Sequence, residues 1–210
     1  MVDFLMIKSY MTKTYIVHSH ELNEFWNPKQ EYKSRLDKLV LLLKNDFNDR
    51  VNIILTWGKA TKWVDFRHCD AWFEYLTNLW IEKELIFREK DVHWSIETVW
   101  EWIFAIRDYF ELINNSNIIN LISSDYHKKR ILEIQKFILW KQLSSKLTFS
   151  WVDKIIHGNL TRTIEQEENS LNAFLNTFKW INSWDINSIE NRLWKDHPLY
   201  KNHPSNPYNI

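Results

Sequence analysis

Two stretches of the chain place an arginine and a histidine with four residues between them. Arg88 precedes His93 in one stretch, and Arg192 precedes His197 in the other. A histidine can transfer a proton near neutral pH, and an arginine can stabilise the negative charge that develops when a phosphodiester is cleaved. We therefore take Arg88, His93, Arg192 and His197 as candidate site residues that could transfer a proton and stabilise negative charge.

This spacing resembles the Arg-x4–6-His signature of HEPN domains, a family of small all-α RNases found in toxin–antitoxin and phage-defence systems. In that family the arginine and the histidine act together at a dimer interface, without a metal, on an RNA phosphodiester. The resemblance implies the same roles for the two pairs in this chain. It covers six residues at each place, and the position after the arginine, often small and polar in the family, is Glu89 or Leu193 here.

The other side chains that could hold a metal or attack a substrate form no complete site. The chain has eight histidines, but it has neither a His-Glu-x-x-His motif nor paired cysteines. Asp65, His68 and Cys69 share one predicted helical turn, whereas di-metal bundles draw their ligands from several helices. Because Cys69 has no well-placed histidine beside it, we expect a buried, inert thiol. We predict no metal site and no cofactor.

Glycine is scarce, and its scarcity excludes several nucleotide-binding and hydrolytic sites. The two glycines, Gly58 and Gly158, are a hundred residues apart. A glycine-rich phosphate loop, a dinucleotide-binding fingerprint and a Gly-x-Ser-x-Gly elbow each need closely spaced glycines. So little glycine also argues against a fold that contains many tight turns.

Positive charge is concentrated in one part of an otherwise neutral chain, in which 27 basic residues balance 27 acidic ones. Between residues 126 and 147, six basic residues stand against one acidic residue, so a helix over residues 128–146 could bind the phosphates of RNA or DNA. The interpretation that we favour is a solvated helix face, offset by acidic neighbours such as Glu165, Glu167 and Glu168. The candidate nucleic-acid-binding residues are Lys128, Lys129, Arg130 and Lys136.

The chain contains 13 tryptophans among 33 aromatic residues. The interpretation that we favour is that these rings fill the space between helices, because many of them lie on the apolar stripes of predicted helices. Trp72, Trp102 and Trp184 lie off the main stripe of their segments. These three could instead form a surface that binds a partner protein or stacks on unpaired bases.

Helical signals recur along the chain. Capping patterns that begin at Asn27 and Thr163 each open a segment whose apolar residues repeat at every third or fourth position. The one stretch that could form a strand, residues 51–57, has no evident second strand to pair with. We therefore predict an all-α fold, a single-domain bundle of about six to eight helices over residues 1–195, followed by an extended, proline-containing tail over residues 196–210.

The location and the function are predicted from these features together. A single cysteine fits a reducing compartment, and no apolar run approaches the length that spans a bilayer, so we expect a cytoplasmic protein without membrane contact. The function that we predict is that of a non-enzymatic helical interaction module, a subunit or adaptor in a larger protein or protein–nucleic-acid assembly. Its partner would be another protein or a second copy of the chain. The alternative is the HEPN-like, metal-independent RNase.

Overall fold

The computed structural model describes residues 11–18, 30–46, 49–56, 67–90, 98–153, 160–202 and 206–208. Its strands are β1 (Thr12–Val17), β2 (Arg50–Leu55), β3 (Ile86–Arg88), β4 (Ile118–Ser124) and β5 (Leu147–Val152). They form one parallel, five-stranded sheet in the order β3-β2-β1-β4-β5. The protein therefore has an α/β fold, and the prediction of an all-α helical bundle is wrong.

Helices alternate with the strands along most of the chain, because consecutive parallel strands must be joined by a crossover. The helices are α1 (Gln30–Asn45), α2 (His68–Asn78), α3 (Thr98–Asn115), α4 (Lys128–Ile138), α5 (Lys141–Ser144), α6 (Leu160–Thr177), α7 (Ile186–Asp196) and α8 (Pro198–Lys201). The basic segment predicted as one helix over residues 128–146 is instead divided between α4 and α5. Within the described ranges, no helix is both long enough and apolar enough to cross a bilayer.

The apolar run that begins at Val51 is β2, and it has a strand on each side. Residues 12–17 pair with it from β1, and residues 86–88 pair with it from β3. Strands of a parallel sheet that is covered on both faces carry apolar side chains in both directions, so their sequences lack the alternation that marks a half-exposed strand. For this reason the sequence gives no sign of the strands that pair with β2, although β2 lies near the centre of the sheet.

Each face of the sheet is covered by its own set of helices. On one face, α1 and α2 pack on the sheet, and Tyr32 stacks on Trp72 with ring centroids 4.0 Å apart. On the other face, α3 lies in a larger core, in which Trp100 stacks on Phe104 at 4.6 Å. That larger core also contains buried residues of α4, α6 and α7. The two layers of helices explain why the strands are apolar on both sides.

The C-terminal segment, predicted as an extended tail over residues 196–210, folds back where it is described. It forms the short helix α8, whose Tyr200 is fully buried, with its ring 5.2 Å from that of Trp100 in α3. The side-chain amide of Asn206 donates hydrogen bonds to the carbonyl oxygens of Trp194, at 2.8 Å, and Tyr200, at 3.1 Å. These contacts attach the segment to the larger core.

The strand order reverses beside β1. The chain passes from β1 through β2 to β3 on one side, and then returns through α3 to β4 on the other side of β1. The carboxyl ends of β1 and β4 therefore lie next to each other, while α1 and α4, which follow them, belong to cores on opposite faces of the sheet. In open, doubly wound sheets, ligands bind in the crevice at such a point.

Candidate functional site

A row of polar residues crosses the sheet where its strands end. Its members are Glu89, Thr56, His18 and Ser123, one at the carboxyl end of each of β3, β2, β1 and β4, and we call them the carboxyl-edge row. The register of the strands places them side by side, and the backbone NH of His18 still donates to a β4 carbonyl at 3.0 Å. All four residues are buried.

The carboxyl-edge row lies on the face of the sheet that α3 covers. Successive side chains along a strand point to opposite faces of the sheet, so a residue that follows one facing α1 points towards α3. The His18 ring packs edge-on against Trp102 of α3, with centroids 5.8 Å apart. Thr56 Oγ1 donates a hydrogen bond to Glu101 Oε1, also on α3, at 2.9 Å. The first turns of α3 therefore cover the row.

Two buried atoms of the row have no hydrogen-bond partner among the described residues. These atoms are His18 Nε2 and Ser123 Oγ, and the same holds for Nε1 of Trp102, the ring that packs on His18. Buried polar atoms of this kind are rare and cost about 1–3 kcal/mol each. Other described examples include Tyr32 OH and Trp72 Nε1, in the core on the opposite face, and Asn120 Oδ1 within β4. The row therefore combines neighbouring unsatisfied atoms with the position at which such folds bind ligands.

The imidazole of His18 is uncharged at neutral pH. Burial lowers its pKa well below the ordinary value of 6.5, and nearby Arg35, His127 and Arg130 act in the same direction. A neutral imidazole has one nitrogen that donates and one that accepts a hydrogen bond. His18 can therefore meet a polar group of a ligand without bringing a charge into the interior.

A fully buried arginine ties the ends of β1 and β4 together from the α1 face. Arg35 Nη1 donates to the carbonyl oxygen of His18 at 2.8 Å, and its Nε and Nη2 donate to Ser124 Oγ at 3.1 and 2.9 Å. Its Nη2 also pairs with Glu31 Oε1 at 2.7 Å. The same Glu31 oxygen accepts a hydrogen bond from Tyr126 at 2.5 Å. This network fixes the backbone at the ends of β1 and β4, which carries His18 and Ser123.

A second polar group lies immediately after β4. Residues 125–127 form a turn of 3-10 helix, in which His127 Nδ1 lies 2.9 Å from Glu167 Oε1 of α6. Arg130 of α4 donates from Nε to Glu167 Oε2 at 2.8 Å and from Nη1 to Thr98 Oγ1 at 2.9 Å. The group therefore links the end of β4 to α6 and to the first residue of α3.

The pKa values of this pair move in the same direction for different reasons. Burial lowers the pKa of His127 to about 4, although the hydrogen bond to Glu167 opposes the shift. Burial alone would raise the pKa of Glu167, but hydrogen bonds from His127 and Arg130 outweigh it and lower that pKa to about 2. At neutral pH the imidazole is therefore uncharged and the carboxylate is ionised.

The candidate nucleic-acid-binding residues are divided between an internal ion pair and the exposed side of α4. Arg130 lies partly buried in the pair with Glu167, one of the acidic neighbours named from the sequence. Lys136 pairs with Glu133 on the exposed side of α4 at 2.8 Å. The last two candidates, Lys128 and Lys129, are exposed, and the Lys128 ammonium lies 5.8 Å from the centroid of a β5 tryptophan ring.

The two arginine–histidine pairs are found on different elements. Arg88 ends β3 and pairs with Asp70 at 2.6 Å, whereas its predicted partner, His93, lies outside the described residues. Arg192 on α7 pairs with Asp196 at 3.1 Å. His197 follows α7, and burial lowers its pKa. Both arginines are thus engaged with carboxylates, and the all-α fold that the resemblance implies is not the fold of this chain.

Two of the three tryptophans predicted to form a partner surface are buried. Trp72 lies in the α1–α2 core and Trp102 in the α3 core, so neither contributes to a surface, and that prediction is wrong for both. Trp184 is exposed, as are Trp80 and Trp180. The favoured interpretation, in which the rings fill space between elements, therefore describes only part of the set.

The described residues hold no group of three or more histidine, cysteine, aspartate or glutamate side chains that could bind a metal ion. Asp65 lies outside the described residues. Cys69 is buried in α2, and burial raises the pKa of its thiol, so the thiol is unreactive at neutral pH.

Sequence patterns did not identify the residues of this edge. Ser123 and His127 follow the apolar run of β4, and His18 follows that of β1. Polar residues directly after buried parallel strands are a recognised signal of a site. This signal can be recognised only if the apolar runs are interpreted as strands, and the all-α interpretation did not treat them as strands.

Comparison of the chain with models of known protein families, with curated protein sequences and with solved structures finds no match. The fold class rests on the strand order, and the candidate site rests on the carboxyl-edge row and its neighbours.

Proposed function

We propose that the protein binds a small polar organic molecule at the carboxyl edge of its sheet, between β1 and β4. The ligand would contact His18 Nε2 and Ser123 Oγ. One observation carries the proposal: two neighbouring polar atoms, both buried, have no hydrogen-bond partner in the described structure. Folding alone gives no reason to retain them, because an apolar replacement would avoid their cost.

The position of these atoms supports the proposal independently of their chemistry. They lie where the strand order reverses, and helices of opposite layers follow β1 and β4. The buried Arg35 holds the two strand ends at a fixed spacing. A rigid framework of this kind favours binding, because little conformational entropy is lost when a ligand is positioned.

The ligand would be recognised differently from a dinucleotide. Dinucleotide-binding folds place glycines after the first strand so that the backbone can approach a pyrophosphate, whereas the residue after β1 here is His18. An uncharged, buried imidazole and a serine hydroxyl suit a neutral group better than a bare ion, because an ion loses more hydration on burial. The geometry thus favours a hydroxyl- or amide-bearing compound.

The functions predicted from the sequence have less support. The interaction module remains a prediction, with Trp184 as the one exposed residue of its three. Cleavage of RNA also remains a prediction, but Arg88 and Arg192 are each paired with a carboxylate. Neither hypothesis accounts for the unsatisfied atoms at the carboxyl edge.

The proposal is tested by screening nucleosides, sugars, polyols and amino-acid amides for binding to the full chain by thermal shift and calorimetry. At least one compound should bind the wild type and bind His18→Leu about tenfold or more weakly. The matched control is Thr14→Val, a buried hydroxyl near the other end of β1, which should bind like the wild type. Failure of every compound to bind, or equal binding by His18→Leu, would refute the proposal.

A further inference from the structure

We propose that His127 is a catalytic base at this edge, accepting a proton from a hydroxyl group of the bound ligand, and that Glu167 is its positioning residue. This inference rests on the proposed ligand site, and it makes the protein an enzyme rather than a binding protein alone. It concerns a cluster that the carboxyl-edge row does not include.

The contacts of His127 define which of its nitrogens carries the proton. Nδ1 lies 2.9 Å from Glu167 Oε1 and 3.1 Å from Arg130 Nη2. A carboxylate can only accept, and Arg130 Nη2 has that same carboxylate oxygen as an acceptor at 3.1 Å. The consistent assignment puts the proton on Nδ1, donated to Glu167. The lone pair is then on Nε2.

Nε2 is the nitrogen available for chemistry. It has no hydrogen-bond partner among the described residues, and the His127 side chain is 16% exposed, unlike the fully enclosed His18. His127 lies four residues after Ser123, in the turn that leaves β4 at the point where the strand order reverses. The ring is therefore oriented, partly accessible and beside the proposed ligand.

Glu167 can orient the ring because other residues hold it in place. Arg130 binds both of its carboxylate oxygens and also binds Thr98, the first residue of α3. In histidine-dependent enzymes, a carboxylate on Nδ1 fixes the tautomer and stabilises the imidazolium that forms. The arrangement here has the same parts.

Several charged and titratable groups set the protonation of His127. Burial and the positive charges lower its pKa to about 4, while Glu167 raises it. The ring is consequently neutral at physiological pH, and the lone pair on Nε2 carries no proton. The groups that face it are Glu167 from α6, Arg130 from α4, Arg35 from α1, His18 from the end of β1 and Tyr126 beside it.

The proposed step is a proton transfer and is balanced without a further reactant. The O–H bond of the ligand breaks, a bond forms between that proton and Nε2, and the oxygen keeps the electron pair. The proton on Nδ1 stays in its hydrogen bond with Glu167. The result is an imidazolium next to a carboxylate and an oxygen activated as a nucleophile.

The reagent diethyl pyrocarbonate tests this on the ligand-free, full-length chain. A neutral imidazole nitrogen attacks its carbonyl carbon, a carbon–nitrogen bond forms, and ethyl carbonate leaves. At pH 5 an ordinary histidine is only about 3% neutral, whereas one with a pKa of about 4 is about 90% neutral. Peptide mass spectrometry should show His127 modified at pH 5 within about twofold of its rate at pH 7. Added N-acetylhistidine, the internal control, should slow by about 25-fold.

The role of Glu167 is tested by Glu167→Gln, with Glu133→Gln on the exposed side of α4 as the matched control. Loss of the negative charge should slow modification of His127 by about threefold or more, because a carboxylate on Nδ1 makes the Nε2 lone pair more basic than a neutral amide does. The control should leave the rate unchanged. A purely structural pair would change thermal stability but not this rate. Since Glu167→Gln could disturb folding, the wild-type pH profile serves as an independent arm.

The outcomes separate this inference from the proposed ligand site. An unmodified His127 at pH 5, or an equal rate in a folded Glu167→Gln variant, overturns the catalytic role, even if a ligand binds. A reactive His127 together with a compound panel that contains no binder refutes the ligand site, and the catalytic role with it. Modification at pH 5 together with a binder that slows it by about tenfold supports both.

Discussion

The two edges of the sheet differ in how completely their buried polar groups are hydrogen-bonded. At the amino edge, Lys13 Nζ pairs with Asp46 at 2.5 Å and Asp49 at 2.9 Å, and Ser116 Oγ lies 2.6 Å from Thr14 Oγ1. Ser116 also donates to a carbonyl oxygen of α3 at 2.7 Å. At the carboxyl edge, the row keeps two buried atoms with no partner in the described structure.

The difference separates residues that stabilise the fold from residues kept for another purpose. A satisfied buried hydrogen bond contributes about 1 kcal/mol to stability, whereas an unsatisfied buried polar atom reduces it. Ser116 and Ser123 lie near opposite ends of β4 and are equally buried, so they form a matched pair. Only Ser123 lies where the strand order reverses. Removal of a satisfied hydroxyl should therefore destabilise the protein, whereas removal of an unsatisfied one should leave its stability unchanged or increase it.

The largest effect is expected at the amino edge, for Asp46→Ala. This change removes one of the two carboxylate partners of Lys13 and the acceptor of the buried Tyr15 hydroxyl, so we expect a loss of about 3 kcal/mol in the free energy of unfolding, measured in urea. Asp49→Ala, which removes a single contact to Lys13, should cost less than about 1 kcal/mol. Equal losses would contradict the stabilising role given to Asp46.

The next effect is the pH dependence of stability, which should differ in sign between the edges. His127 has a folded pKa of about 4, below its ordinary value, so the unfolded chain binds a proton first as the pH falls below about 6.5. Glu167, with a folded pKa of about 2, adds a loss below about 4.5. Urea denaturation should therefore show a progressive loss of stability as the pH falls from 7 to 4.

The amino edge should instead be sensitive to alkali. Hydrogen bonding to Asp46 raises the pKa of Lys13, so its contribution is complete below pH 10.5 and is lost as the pH rises further. His127→Asn, which keeps a donor near the Nδ1 position, should make the acid limb shallower and leave the alkaline limb unchanged, because His18 and Glu167 still contribute to the loss at low pH. An unchanged acid limb would assign the loss to other groups.

A smaller effect is expected for Ser116→Ala. The change removes two hydrogen bonds, to Thr14 and to the carbonyl oxygen of Leu112, so unfolding should become easier by about 1–2 kcal/mol. Ligand binding at the other edge should stay the same. Chemical denaturation and calorimetry check the two statements, and a neutral effect on stability would show that these bonds are not needed.

The smallest effect on stability is expected for Ser123→Ala. Because Ser123 Oγ has no described partner, its removal should change the free energy of unfolding by less than about 0.5 kcal/mol, or increase it. A loss as large as that of Ser116→Ala would show that Ser123 stabilises the fold, and the contrast between the edges would disappear.

The helices were predictable because they are amphipathic, whereas the sheet was not. The segments that begin near Asn27 and Thr163 show helical periodicity and form α1 and α6. β2 and β4 are buried on both sides and show no alternation. The scarcity of glycine also favoured the wrong fold class. Parallel strands are joined by helices rather than by tight hairpin turns, so an α/β fold needs few glycines.

The candidate site was even less accessible from the sequence. Arg130 and Glu167 were each noted for their charge, but only the packing of α6 on α4 brings them together. Ser123 is an ordinary serine until the register of β4 places it beside His18. The carboxyl edge is a property of the sheet, and no linear motif encodes it.

The most direct test of the central claim is calorimetric titration of the best compound from the panel into the wild type, Ser123→Ala and Ser116→Ala. The account predicts binding to Ser116→Ala as tight as to the wild type, and binding to Ser123→Ala weaker by about tenfold or more, although Ser116→Ala is the less stable variant. Equal affinity for all three proteins, or weaker binding by Ser116→Ala alone, would contradict a ligand site at the carboxyl edge.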